Sequence, residues 1–424
     1  MSLPDYVGEM QNWTESTNEN FKAFVHYRRD IIDLQVERLN DLKNTGAQLP
    51  SLYGVPIAIK DNIDTEDYPT ELGFAGAVGR TPRMDAYLVH KLRAAGALIW
   101  AKSATTEFAY LQPCETLNPR VPGHTPGGSS SGSAAAVASG MVPVSIGTQT
   151  NGSVIRPASF CGVYGYKPSR GLIFVGGVLN GSPSLDQIGL FARSVSDLAS
   201  VAEVMIGGHE NAAGSTIYPM ALKSVSDMQP PLQPKLMFAK TPMWDQMDPR
   251  SQTAFLALIE ELKDCMVDMP LPESVGNAVG WLRTVMDAEM SVNLQPLIEG
   301  GSATPSAPTL ELIERGEAIT ATEYLKASKR LAGASAGFAE YFDYFDAIVT
   351  PATLGPAPEG FASTGNPVMS SIWTFAGLPC ISLPLLQTED GLPIGIQLVG
   401  ALNNDGRLLR TARWLETRLN GATA

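Results

Sequence analysis

GVPIAIKDNID, residues 54–64, and DAYLVHKLRAAGALIWAK, residues 85–102, decide the fold class. The first is a short apolar run carrying one lysine and ending at Asp61–Asn62, the pattern of a buried strand. In the second, a helical period from Asp85 to Ala95 stops at Gly96 and gives way to the apolar strand ALIWAK. Strand, helix and strand in succession predict an α/β fold with parallel pairing. Outward from this unit, AAAVASG reads as a buried helix of small residues and VPVSIG as a buried strand. DAIVTPAT, PCISLPLL and GIQLVG read as strands, and GRLLRTARWLETRL as a closing helix. Helical spacing runs through residues 21–45 and dominates residues 250–345, whereas residues 1–20 are polar and weakly patterned.

The 424 residues are 44% hydrophobic and 17% charged, enough apolar mass for a large core. A net charge of −13 argues against a nucleic-acid footprint and against attraction to an anionic membrane. The four cysteines are scattered, with no CxxC pair, as in a reducing cytoplasm. The first residues, MSLPDYVGEM, lack the apolar stretch of a signal peptide. The most apolar stretch, Ala134 to Gly147, is broken by Gly140 and Pro143 and is too short for a membrane span. Of the four histidines, His90 lies in a helical pattern, and His26 and His209 have no ligand partner at metal spacing. No metal is expected.

Residues 120–190 are packed with Gly, Ser and Thr and hold few charges. Gly128 to Gly132 matches G-x-S-x-G, but VPGHTPG before it is no strand. The only later histidine is His209, so a nucleophile elbow with a Ser-His-Asp triad is unsuited. No Lys-Ser or Lys-Thr follows the loop, which also excludes a Walker A cradle. A serine can instead be activated by a lysine whose ammonium is disfavoured by burial. Lys60 fits that role; an edge-strand lysine is the competing reading. In GTQTNGSVIRPASFCGVYG, successive N–H groups at Thr150, Asn151, Gly152 and Ser153 would form an anion-binding nest, or simply a glycine-rich turn.

From Gly127 to Pro168 the chain reads GGSSSGSAAAVASGMVPVSIGTQTNGSVIRPASFCGVYGYKP. This stretch resembles the signature of the amidase signature family. The likeness continues in GVPIAIKDNIDT, TLNP, SLDQIGLFARSVSDLA, GLPCISLP and GLPIGIQLVG. It is similar to the malonamidase-type small amidases in its Val-Ile-Arg-Pro segment. The resemblance implies a large mixed β-sheet covered by helices on both faces. It implies one domain over residues 1–424, with a signature core at about 50–205 and 345–415 and a helical excursion at about 250–345. It also implies a Ser–cis-Ser–Lys triad: Ser153 as nucleophile, Ser129 after a cis peptide as the bridging hydroxyl, Lys60 as base. Thr150, Asn151 and Gly152 would line the oxyanion hole, and Ser130 and Arg156 would serve substrate binding.

Three departures from the family pattern stand out. Asn151-Gly152 replaces the usual Gly-Gly; Arg156 comes three residues after the nucleophile rather than two; and one helix ahead of FVHYR is expected to be missing or altered. Arg156 has two candidate partners, a substrate carboxylate or Asp186 of SLDQIG. The expected reaction is hydrolysis of a small amide, or a short carboxylate-bearing amide, without a cofactor. The alternatives are a glutaminase-type subunit of a tRNA-dependent amidotransferase and an idle, ligand-binding relative. A small-molecule partner is expected, with no nucleic acid and no membrane, and with room for a homodimer.

Overall fold

The computed structural model describes residues 1–207, 221–271 and 275–421; His209 lies outside them. Eleven strands form one mixed sheet: β1 (Phe24–Tyr27), β2 (Pro56–Lys60), β3 (Leu98–Ser103), β4 (Val144–Gln149), β5 (Tyr164–Lys167), β6 (Gln187–Ala192), β7 (Leu236–Phe238), β8 (Met266–Asp268), β9 (Ala347–Pro351), β10 (Cys380–Gln387) and β11 (Pro393–Val399). Their order is β1-β3-β2-β4-β6-β5-β10-β11-β9-β7-β8. β2 runs parallel to β3 and β4, as the strand–helix–strand reading requires, with a helix at Tyr87–Ala94 between β2 and β3. β6, β5, β10 and β11 pair antiparallel, which makes the sheet mixed.

Helices cover both faces. Successive strand side chains alternate between faces: Ile57 and Ile59 of β2 join the core under helices Tyr87–Ala94, Val195–Met205 and Asp405–Gly421, whereas Ala58 joins the core on the other face. Lys60, two residues past Ala58, shares the Ala58 face. Two short helices pack there: Ser131–Ala138, buried except at Ala138, and the fully buried Ile155–Cys161. The small residues of SGSAAAVA let the first lie almost on the sheet. A Cβ on Gly132 would stand 2.2 Å from the Ala23 carbonyl oxygen and 2.3 Å from the Ala104 nitrogen, so only glycine fits.

The excursion holds the helices Pro249–Glu261, Ala278–Glu299, Ala307–Glu317 and Ala321–Gly333. It also holds β8, a three-residue edge strand too short to register in the pattern. Two N-terminal expectations are corrected. A helix at Leu3–Phe21 precedes β1, so the helix thought missing is present. It starts in a capping box: Ser2 accepts from the Asp5 N–H, Asp5 reaches back to the Ser2 N–H, and Pro4 lies in the first turn. The helical spacing over residues 21–45 is interrupted by β1, and only Arg29–Asn44 is helix. No helix among the described residues is long and apolar enough to cross a membrane.

Candidate active site

Lys60 ends β2, an inner strand of the sheet, and is completely buried, which removes the edge-strand reading. Its Nζ lies 2.8 Å from Ser129 Oγ and 2.8 Å from Thr148 Oγ1 on the neighbouring β4. Asn62 Nδ2 donates to the same Thr148 oxygen at 3.0 Å. Thr148 therefore aims the amine from one side while Ser129 meets it on the other. The Gly128–Ser129 peptide is cis. Ser153 stands in the turn between β4 and helix Ile155–Cys161. Of the three positions expected to form the triad it is the most open to solvent, 8% exposed against 1% for Ser129 and 0% for Lys60. A substrate entering from solvent therefore meets Ser153 first.

The turn holding Ser153 is tied down from several directions. Gln149, at the end of β4, accepts the N–H groups of Val154 (2.8 Å) and Ile155 (3.1 Å) through Oε1, taking two donors that the helix start leaves unpaired. Its Nε2 donates to Thr374 Oγ1, and Thr374 in turn donates to the Asn151 carbonyl at 2.5 Å. Ser371 donates to Asn151 Oδ1 at 2.7 Å, so the departure from Gly-Gly is absorbed by a bond to helix Val368–Ala376. Thr150 donates to Asp186 Oδ1 at 2.6 Å. With the carbonyls and side chains so held, the N–H groups of Asn151, Gly152 and Ser153 meet no acceptor among the described residues. They are the donors an oxyanion would need.

Arg156 does not pair with Asp186. Its Nε donates to the Thr364 carbonyl (2.8 Å) and its Nη2 to the Gly128 carbonyl (2.6 Å), which ties helix Ile155–Cys161 to the peptide before Ser129. Asp186 is instead occupied by Thr150 and by the Ser182 N–H at 2.8 Å. Arg156 Nη1 is buried and unpartnered, on the side where a Cβ added to Gly152 would approach within 3.3 Å. Ser130 departs from the expected substrate contact. It is fully buried and donates to the Thr148 carbonyl at 3.2 Å, so it orients β4 and presents no surface to a ligand.

Burial controls the electrostatics. It lowers Lys60 to about 7, opposed by Asp186 and Cys114 and assisted by Arg156. At neutral pH a large share of Lys60 is thus the free amine, able to accept a proton. Burial also raises Asp186 to about 6 and lowers Arg156 to about 10, which leaves the guanidinium charged. Two further lysines are fully buried. Lys102 lies 3.6 Å from Asp61 and donates to the Ile63 carbonyl, while Lys167 donates to Gln187 and the Pro168 carbonyl. Neither hydrogen-bonds to Ser129 or Ser153. No group of three His, Cys, Asp or Glu residues at metal-binding distance occurs among the described residues.

Thr148, Gln149 and Thr374 went unrecognised in the sequence. Polar residues in a buried strand, as in GTQT, were the available signal for the first two; nothing local marks Thr374.

Residues 5–409 match the family model described as Amidase. A glutamyl-tRNA(Gln) amidotransferase subunit from Koribacter versatilis is 32% identical, with 96% of this chain and 92% of that protein aligned. The corresponding subunit from Geobacillus kaustophilus is 30% identical over 98% and 94%. Among solved structures, the native peptide amidase from Stenotrophomonas maltophilia superposes with a TM-score of 0.83 at 25% identity, covering 99% of this chain and 94% of that one. 6-Aminohexanoate cyclic dimer hydrolase complexed with substrate gives 0.85 at 25% identity over 99% and 94%.

Proposed function

The chain belongs to the amidase family, and from that premise we propose that it hydrolyses the C–N bond of a small amide through an acyl-enzyme on Ser153. The observation that carries this reading is the buried Lys60 amine, 2.8 Å from Ser129 Oγ and held at about 7. Neutral Lys60 draws the Ser129 proton while Ser129 takes that of Ser153, whose oxygen attacks the amide carbon. The oxyanion settles on the unoccupied N–H groups of the 151–153 turn. The relay returns the proton to the leaving nitrogen, and water then releases the acid.

The unpartnered Nη1 of Arg156 supports a substrate that carries a carboxylate, since a guanidinium binds that group as a planar fork. Two substrate classes meet the requirement: a dicarboxylic half-amide, and glutamine used by a glutaminase-type subunit. The relatives support the second more strongly, because they are amidotransferase subunits. In that reading the ammonia is passed on within an assembly that handles a charged tRNA, and the expectation of no nucleic-acid partner is not carried forward.

Ammonia release from glutamine, asparagine, half-amides and neutral amides, by the chain alone and with co-purifying proteins, separates the two. Arg156→Ala should weaken turnover of carboxylate-bearing amides by roughly 10- to 150-fold more than that of neutral ones, which feel only the lost brace on the Gly128 and Thr364 carbonyls. An equal loss on both kinds would remove the case for an acidic substrate.

A further inference from the structure

Glu289 lies on helix Ala278–Glu299, in the excursion, and touches none of the proposed triad residues directly. One of its oxygens accepts from the Ser182 hydroxyl at 2.6 Å and from the Ser184 N–H at 3.1 Å. The other accepts from the Ser184 hydroxyl at 2.5 Å and from Tyr324 on helix Ala321–Gly333 at 2.8 Å. Four donors converge on one carboxylate, three of them from a single three-residue stretch. That stretch leads directly into Asp186. Asp186 receives the Ser182 N–H on Oδ2 and the Thr150 hydroxyl on Oδ1, and Thr150 opens the turn that carries Asn151, Gly152 and Ser153. An unbroken series of hydrogen bonds, most of them charge-assisted, thus runs from two helices of the excursion to the oxyanion turn.

Ser182 lies at the junction, with its hydroxyl on Glu289 and its N–H on Asp186. Arg170 braces the same stretch by donating to the Ser184 carbonyl at 3.3 Å and to the Phe375 carbonyl at 2.6 Å. Without Glu289, the hydroxyls of Ser182 and Ser184 and the Ser184 N–H lose their acceptor. Residues 182–186 are then free to shift, and Thr150 moves with Asp186.

We propose that Glu289 is a positioning residue that sets the reactivity of Ser153 by fixing the 182–186 stretch, and through Asp186 and Thr150 the oxyanion turn. Glu289 is thus the point at which two helices of the excursion act on the proposed oxyanion turn. The inference rests on the reading of Ser153 as nucleophile.

The test is the rate at which a fluorophosphonate labels Ser153 in the full chain, resolved into the maximal rate and the half-saturating concentration. Glu289→Gln keeps the size of the side chain but offers an amide where an acceptor is needed. The maximal labelling rate should fall at least about tenfold with little change in half-saturation, since small misplacement of a reacting group is costly. Tyr324→Phe, which removes one of the four donors, should show a smaller loss of the same kind. Glu289→Gln combined with Asp186→Asn should be little slower than the slower single variant, because both act through one stretch. Additive losses, or a Glu289→Gln variant that melts earlier yet labels at the wild-type rate, would reduce Glu289 to a structural role and overturn the proposal. Failure of the wild type to label at Ser153 would instead overturn the nucleophile assignment, and this inference with it.

Discussion

Activity should follow the deprotonation of Lys60. Burial lowers this amine from 10.5 to about 7. At pH 7 about half of it is neutral, against about one part in 3,000 for an ordinary lysine. The neutral share is roughly nine-tenths at pH 8 and one-tenth at pH 6, by the same arithmetic. The sign follows from the chemistry: the base must be unprotonated, so the rate rises with pH and levels off once the amine is free. Fluorophosphonate labelling of Ser153, measured from pH 5 to 9, should therefore fall about tenfold from pH 8 to pH 6 and about tenfold more to pH 5. Asp186 carries a charge that pulls Lys60 upward, so Asp186→Asn should move the midpoint to lower pH. A rate that still climbs tenfold between pH 8 and 9 would mean that the amine is not depressed. A flat profile would mean that Lys60 is not the base.

Two further outcomes follow from the geometry. Lys60→Ala and Ser129→Ala should each cost several orders of magnitude in ammonia release, while the double variant should be little worse than either, because a relay fails as a unit. Gln149→Ala strips the acceptor from the Val154 and Ile155 N–H groups and should cost about 2–4 kcal/mol in urea unfolding, combining a lost helix cap with buried unpaired donors.

The parts of this molecule that were legible in the sequence are those whose cause is local. Lys60 stood out because a lysine in PIAIK is out of place in an apolar run. The parallel β2–β3 unit followed from periodicity and from Gly96, whose φ of +83 ends the helix. Ser129 and Ser153 came from resemblance to a long motif rather than from any property of a serine. The helix at Leu3–Phe21 was missed although Ser2, Pro4 and Asp5 carry its capping signature, because its outward residues are polar and mask the buried face of Val7, Gln11 and Thr14. Arg156 was given two partners by proximity in sequence and chemistry, and the structure supplies two others, the carbonyls of Gly128 and Thr364. Glu289 was invisible because three of its four donors lie more than a hundred residues earlier, at Ser182 and Ser184.

The anchoring of the 150–153 turn bears on how the chain matures. Gln149 and Thr374 are 225 residues apart, Asn151 and Ser371 are 220 apart, and Arg156 and Thr364 are 208 apart. Every residue of the proposed triad is synthesised in the first 153 positions, yet the braces that shape the turn arrive more than two hundred residues later. Closing loops of that length slows folding more than it weakens the finished fold. A nascent chain that has not yet released Thr374 from the ribosome holds all three side chains of the proposed triad but lacks the bonds that brace the turn carrying Ser153. The turn carrying Ser153 should be among the last parts of the molecule to acquire protection from hydrogen exchange during refolding, once helix Val368–Ala376 docks.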